Sequence, residues 1–109
     1  MNSHDLFFTL SQLAGRANLS PDLDVVAFVE LTGDDSALWQ ARVSGGRISL
    51  EEGRPAEPDL TVSASTDTAV KIFEKKINPM AAFMTGKIKV KGNLAKIAQF
   101  KQLIFGQKK

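Results

Sequence analysis

The 109-residue chain has no cysteine and no tyrosine, one histidine and one tryptophan. Lacking cysteine, it has no disulfide, thiolate metal site, iron–sulfur cluster or cysteine nucleophile. No apolar run approaches the roughly 18–20 residues that cross a bilayer. The start Met1-Asn2-Ser3-His4-Asp5 lacks the basic opening of a secretion signal. A soluble, intracellular, cytoplasmic protein is expected. The length suits a single domain spanning residues 1–109, since domains commonly hold about 100–150 residues.

Charge is absent by type as well as by place. There is no lysine before position 71 and no arginine after position 54. Residues 1–70 carry four Arg against eleven acids, net −7, whereas residues 71–109 carry ten Lys against Glu74 alone, net +9. Such segregation suits either a surface that meets anions or a solvated lysine-rich face. Nucleic acid is the weaker partner, because arginine, the side chain built for bidentate phosphate and guanine contacts, is missing from the basic half. Phe73, Phe83, Phe100 and Phe105 of that half sit on apolar helical faces and offer no stacking platform. No nucleic-acid partner is expected.

The catalytic inventory is equally thin. His4, the one imidazole, lies in a terminal segment that tends to fray, so a hydrolase triad lacks a base. Asp34-Asp35 and Glu51-Glu52 read as a turn and a strand end, where two carboxylates do not flank one bond. One histidine and scattered carboxylates make no metal cluster. Gly45-Gly46 lacks the lysine of a phosphate loop. No enzyme activity, metal or cofactor is expected.

Apolar spacing supplies the elements. Leu6, Phe7, Leu10, Leu13, Ala14 and Ala17 follow helical spacing, with Ser3 as candidate N-cap and an end near Asn18. Val25–Leu31 is a β-branched strand; Trp39, Ala41 and Val43 alternate as a second, and Gly45-Gly46 turns into a third over Arg47–Glu51, with Ile48 and Leu50 facing in. These three make an antiparallel meander. Leu60, Val62 and Ala64 mark a fourth strand. A helix from Thr66 places Ala69, Ile72, Phe73 and Ile77 on one face; Asn78-Pro79 opens a short helix over Met80–Thr85 closed by Gly86. Lys87–Lys91 alternates as strand five, and a last helix runs from Leu94 to about Phe105. The class is α+β (mixed α/β), with helices on one side of a five-stranded sheet. Met80, Phe83 and Met84 on so short a helix suit either a solid core or a wall that adapts to an apolar guest.

The run Asn78-Pro79-Met80-Ala81-Ala82-Phe83-Met84-Thr85-Gly86-Lys87-Ile88-Lys89-Val90-Lys91-Gly92-Asn93 resembles the signature of the sterol carrier protein type two (SCP-2) domain family, and Pro58-Asp59-Leu60-Thr61-Val62 is similar to the strand that precedes it there. The match is specific over residues 58–104, and the earlier strands follow in order. The resemblance implies an apolar tunnel between sheet and helices that takes sterols, fatty acyl chains or isoprenoids, without catalysis. Family members act alone or as appended domains, and bacterial relatives include accessory factors of ubiquinone synthesis. By analogy the tunnel draws on Trp39, Phe73, Ile77, Met80, Phe83, Met84, Ile97, Phe100 and Ile104. Lys96 and Lys101 depart from the apolar or neutral residues common in that last helix; Lys101 falls on the apolar face and either snorkels or meets a head group. The expected function is binding and transfer of an apolar lipid, with a ubiquinone accessory factor or a dimerisation module with a filled core as alternatives. Lys87, Lys89 and Lys91 are candidates for docking on an anionic membrane, or simply protect an edge strand from pairing.

Overall fold

The computed structural model describes residues 1–16, 19 and 21–105, with side chains as far as Lys101. The chain runs α1 (Ser3–Ala14), β1 (Val25–Thr32), β2 (Ala37–Ser44), β3 (Arg47–Glu52), β4 (Leu60–Ser65), α2 (Thr66–Phe73), α3 (Pro79–Met84), β5 (Ile88–Gly92) and α4 (Leu94–Phe105). The sheet order is β3-β2-β1-β4-β5. β1 to β3 form the antiparallel meander, β4 joins β1 in parallel, and β5 returns antiparallel to β4. None of the described helices is long and apolar enough to cross a membrane.

Each strand's two-residue period sorts its side chains. Trp39, Val29, Val62 and Val90 stand in one cross-strand row, and Ala37, Leu31, Ala64 and Ile88 in the next. That face receives the helices. β2 shows the alternation plainly, with Trp39, Ala41 and Val43 buried and Leu38, Arg42 and Ser44 exposed. β1, at the sheet centre, buries Val25, Ala27 and Leu31 on this face and Phe28 on the other. Phe28 projects to the far face, where the crossing from β3 to β4 brings the Arg54 guanidinium 4.6 Å over its ring.

Helix ends follow their capping chemistry. Asn2, one residue before the expected Ser3, caps α1 by accepting from the Asp5 N–H at 2.7 Å. Ser65 caps α2, Asn78 caps α3 ahead of Pro79, and Asn93 accepts from the Lys96 N–H at the start of α4. α2 ends at Phe73, four residues short of Ile77, because Lys75 takes the left-handed conformation with φ 64° and the Lys76 N–H returns to the Lys71 carbonyl at 2.8 Å. Ile77 therefore leaves the helical face on which its spacing places it. Ala17 and Asn18, where the spacing ends the first helix, lie outside the described residues.

The parallel junction is held by Asp59. Its N–H donates to the Val26 carbonyl at 2.8 Å, its Oδ2 accepts from the Val26 N–H at 2.8 Å, and its carbonyl accepts from the Asn93 N–H at 3.0 Å. This last approach requires Gly92. At its φ of 137°, a Cβ would lie 2.5 Å from the Asp59 carbonyl oxygen and 2.7 Å from the Leu60 Cα. Gly33 has a similar φ of 106° but open space around it. Gly92→Ala should therefore destabilise the protein by more than about 2 kcal/mol, combining strain and overpacking, and Gly33→Ala by about 1 kcal/mol from strain alone. Urea unfolding of both variants checks this; equal losses would remove the steric account of Gly92.

Candidate functional site

The buried side chains form two clusters. Val25, Ala27, Ala41, Val43 and Leu60 make one; Leu6, Leu31 and Trp39 make the other. Between them lies a cavity of about 370 Å³. The sheet supplies its floor through Val29, Leu31, Trp39, Leu50, Val62, Ala64 and Ile88. All four helices complete it: Leu6 and Leu10 from α1, Ala69, Ile72 and Phe73 from α2, Pro79 from α3 and Phe100 from α4. Each of these fourteen described residues is apolar or aromatic. The volume falls at the lower end of the roughly 300–1,000 Å³ of small-molecule sites.

Such a lining has a definite chemistry. It offers no carboxylate, hydroxyl or ammonium to orient a polar group, so an ion or hydroxyl placed inside would lose its hydration without replacement. A hydrocarbon chain would instead gain contacts with the walls. Among the described residues, no group of three His, Asp or Glu is placed to hold a metal ion.

Trp39 stands in the floor, 4% exposed, with the Phe7 ring 5.3 Å away at 55°. Of the residues assigned to the tunnel by analogy, Trp39, Phe73 and Phe100 meet at the cavity. The others whose side chains are described go elsewhere. Ile77 is in the connector after α2, and Ile97 packs against the β-strand cluster built around Val25. Met80 and Met84 point outward, 45% and 77% exposed, because α3 turns Ala82 and Phe83 inward. Phe83 is half-buried under the Lys101 ammonium, 4.6 Å from its ring centre, so Lys101 lies along an aromatic face. Lys96 donates to the Asp24 carbonyl. The side chain of Ile104 lies outside the described residues. Lys89 and Lys91 pair with Ser63 and Thr61 on the sheet face away from the cavity, while Lys87 precedes β5.

The strand residues of the floor were legible as inward by alternation, yet alternation does not tell a side chain against a neighbour from one against a void. Leu6 and Leu10 carried the helical i, i+4 signal that would have added α1 to the wall.

A model of the SCP-2 sterol transfer family matches residues 7–105. The chain belongs to that family. The matched span contains every lining residue of the cavity except Leu6. Hydroxysteroid dehydrogenase-like protein 2 of Bos taurus is 40% identical over 78 residues, which are 69% of this chain but 18% of that protein. The Mus musculus protein of the same name is 37% identical over 78 residues, 16% of its length. The chain thus spans less than a fifth of these curated relatives. Among solved structures, palmitated SCP2L2 from Aedes aegypti matches with a TM-score of 0.77 over 96% of both chains at 19% identity. The UbiJ-SCP2 ubiquinone synthesis protein matches with 0.67 over 93% of this chain and 94% of its own, at 18% identity. At these identities the likeness is one of fold.

In this SCP-2 domain, the α1 wall is fastened outside the cavity. Asp35, in the turn between β1 and β2, accepts from the Ser3 hydroxyl at 2.7 Å and the Ser3 N–H at 2.6 Å, and its carbonyl accepts from the Thr66 hydroxyl at 2.5 Å. One turn residue ties α1 to α2. The Ser3 hydroxyl bond first, then the Ser3 N–H and the nearby N-terminal ammonium, hold the Asp35 carboxyl below its ordinary 3.8, while desolvation opposes them. A lowered value means the carboxylate adds stability that is present above pH 3.8 and lost as pH falls through the lowered folded-state value. Asp35→Asn should lower the melting temperature at neutral pH, and the gap from wild type should close on acidification below pH 3.8. Melting curves across pH measure this, and a gap independent of pH would contradict the role of the charge.

Proposed function

We propose that this protein is a non-catalytic carrier of one apolar lipid, whose hydrocarbon portion occupies the cavity while its head group stays at the mouth. The observation that carries this reading is the lining: fourteen described side chains without a charged group among them, around about 370 Å³. Every side chain there contributes contact and none contributes a proton, a nucleophile or a metal ligand. Membership of the SCP-2 sterol transfer family supports binding and transfer of lipids in general.

The walls support a ligand class. A fatty acyl chain or an isoprenoid tail satisfies an all-hydrocarbon site, and a sterol would leave its hydroxyl in need of water at the opening. The palmitate named for the Aedes aegypti structure supports an acyl chain. The ubiquinone-synthesis role named for UbiJ-SCP2 supports a second reading, in which the chain holds an isoprenoid intermediate for a pathway enzyme. A dimerisation module with a filled core has no use for the space between the two clusters.

Trp39 reports on occupancy. Titration with palmitate or a long-tailed quinone should change its emission and stabilise the fold, by about 2.7 kcal/mol when free ligand is about 100-fold above Kd. Ala64→Phe places a ring in the cavity from β4. That variant should melt near or above wild type and lose the emission change. A lipid panel that leaves wild-type emission and melting temperature unmoved would overturn the carrier reading.

A further inference from the structure

The short helix α3 has a composition that neither its packing nor the cavity explains. Its six residues, Pro79 to Met84, include no polar side chain. Pro79 lines the cavity and Ala82 and Phe83 face the protein, so the opposite side, Met80, Ala81 and Met84, presents an apolar surface to water. Met84 is 77% exposed and Met80, one turn earlier, 45%. Exposed lysines bracket it: Lys75 and Lys76 before, and Lys87, whose N–H bonds to the Ala82 carbonyl at 2.8 Å, after. Glu74, 3.4 Å from Lys76, is the nearest acid in sequence, and none occurs from residue 75 to the last, so β5 and α4, which pack on α3, bring no negative charge.

We propose that α3 is the face by which the protein docks on an anionic membrane, with Met84 and Met80 entering the head-group boundary and Lys75, Lys76 and Lys87 meeting lipid phosphates. Exposed apolar side chains flanked along the chain by exposed cations match the chemistry of such an interface. A second copy fits poorly, since a two-fold contact through this face would set like charges opposite one another. Because Pro79 opens α3 and also lines the cavity, docking brings the cavity wall to the bilayer. The inference rests on the carrier reading for its purpose and on the exposed face of α3 for its evidence.

Co-sedimentation with phosphatidylcholine vesicles, with and without phosphatidylserine, at low and high salt, tests it. Wild type should bind the phosphatidylserine vesicles and release them at high salt. Met84→Asp should abolish binding. Lys75→Gln/Lys87→Gln should weaken it about 25-fold, about fivefold per lysine, and Lys89→Gln/Lys91→Gln, on the far face, by much less. The Trp39 response to palmitate should survive in all these variants, which shows that they fold. Equal binding to neutral vesicles, undiminished binding by Met84→Asp, or a greater loss from the Lys89/Lys91 pair would overturn the proposal. So would a dimer in sedimentation velocity that Met84→Asp disperses while vesicle binding persists, which would assign the face to a second copy. A wild type that answers palmitate yet ignores vesicles defeats docking and leaves the carrier standing; one that binds vesicles but ignores palmitate does the reverse.

Discussion

The rest of the structure depends on a core that does not close. Two buried clusters, one around Val25 and Leu60 and the other around Leu6 and Trp39, share the helix-covered side of a single sheet and leave about 370 Å³ between them. Protein interiors normally pack to the density of organic crystals. An apolar void of this kind forfeits contacts along all its walls, so the surrounding frame must be held open by something other than the side chains that line it.

That frame is polar and peripheral. Asp59 fastens the parallel junction of β1 and β4 and also receives the start of α4, at an approach only Gly92 permits. Asp35 fastens α1 and α2 to a turn of the meander. Neither carboxylate lines the cavity. This separation is a consequence of the chemistry inside: a hydrogen-bonding group placed in the lining would stabilise the wall only by admitting water or demanding a polar guest. Pins at the rim let the interior stay hydrocarbon.

The architecture was legible in the sequence wherever a period was long enough to speak. Trp39-Ala41-Val43 with Gly45-Gly46, and Ile88-Val90 between lysines, identified strands and their inward faces, and the Asn78-to-Asn93 run marked the family. The order in which β4 joins β1 was not legible, since it rests on the tertiary bonds of Asp59 to Val26. Among site residues, Trp39, Phe73 and Phe100 reach the cavity. Ile77 does not, because Lys75 ends α2 with a left-handed residue that periodicity cannot foresee. Met80 and Met84 share a helical stripe whose apolarity reads as burial, and on a six-residue helix that stripe faces outward. Hydrophobicity alone does not say which side of a short helix is wet.

The central claim is that the space between the two clusters belongs to a guest. Native mass spectrometry of the purified protein, before and after equilibration with excess palmitate, a long-tailed quinone and a sterol, addresses it directly. The account predicts a discrete mass excess corresponding to one hydrocarbon-bearing molecule per chain, released intact on collisional activation and lost in Ala64→Phe. A spectrum showing only the unliganded chain under every condition would contradict it.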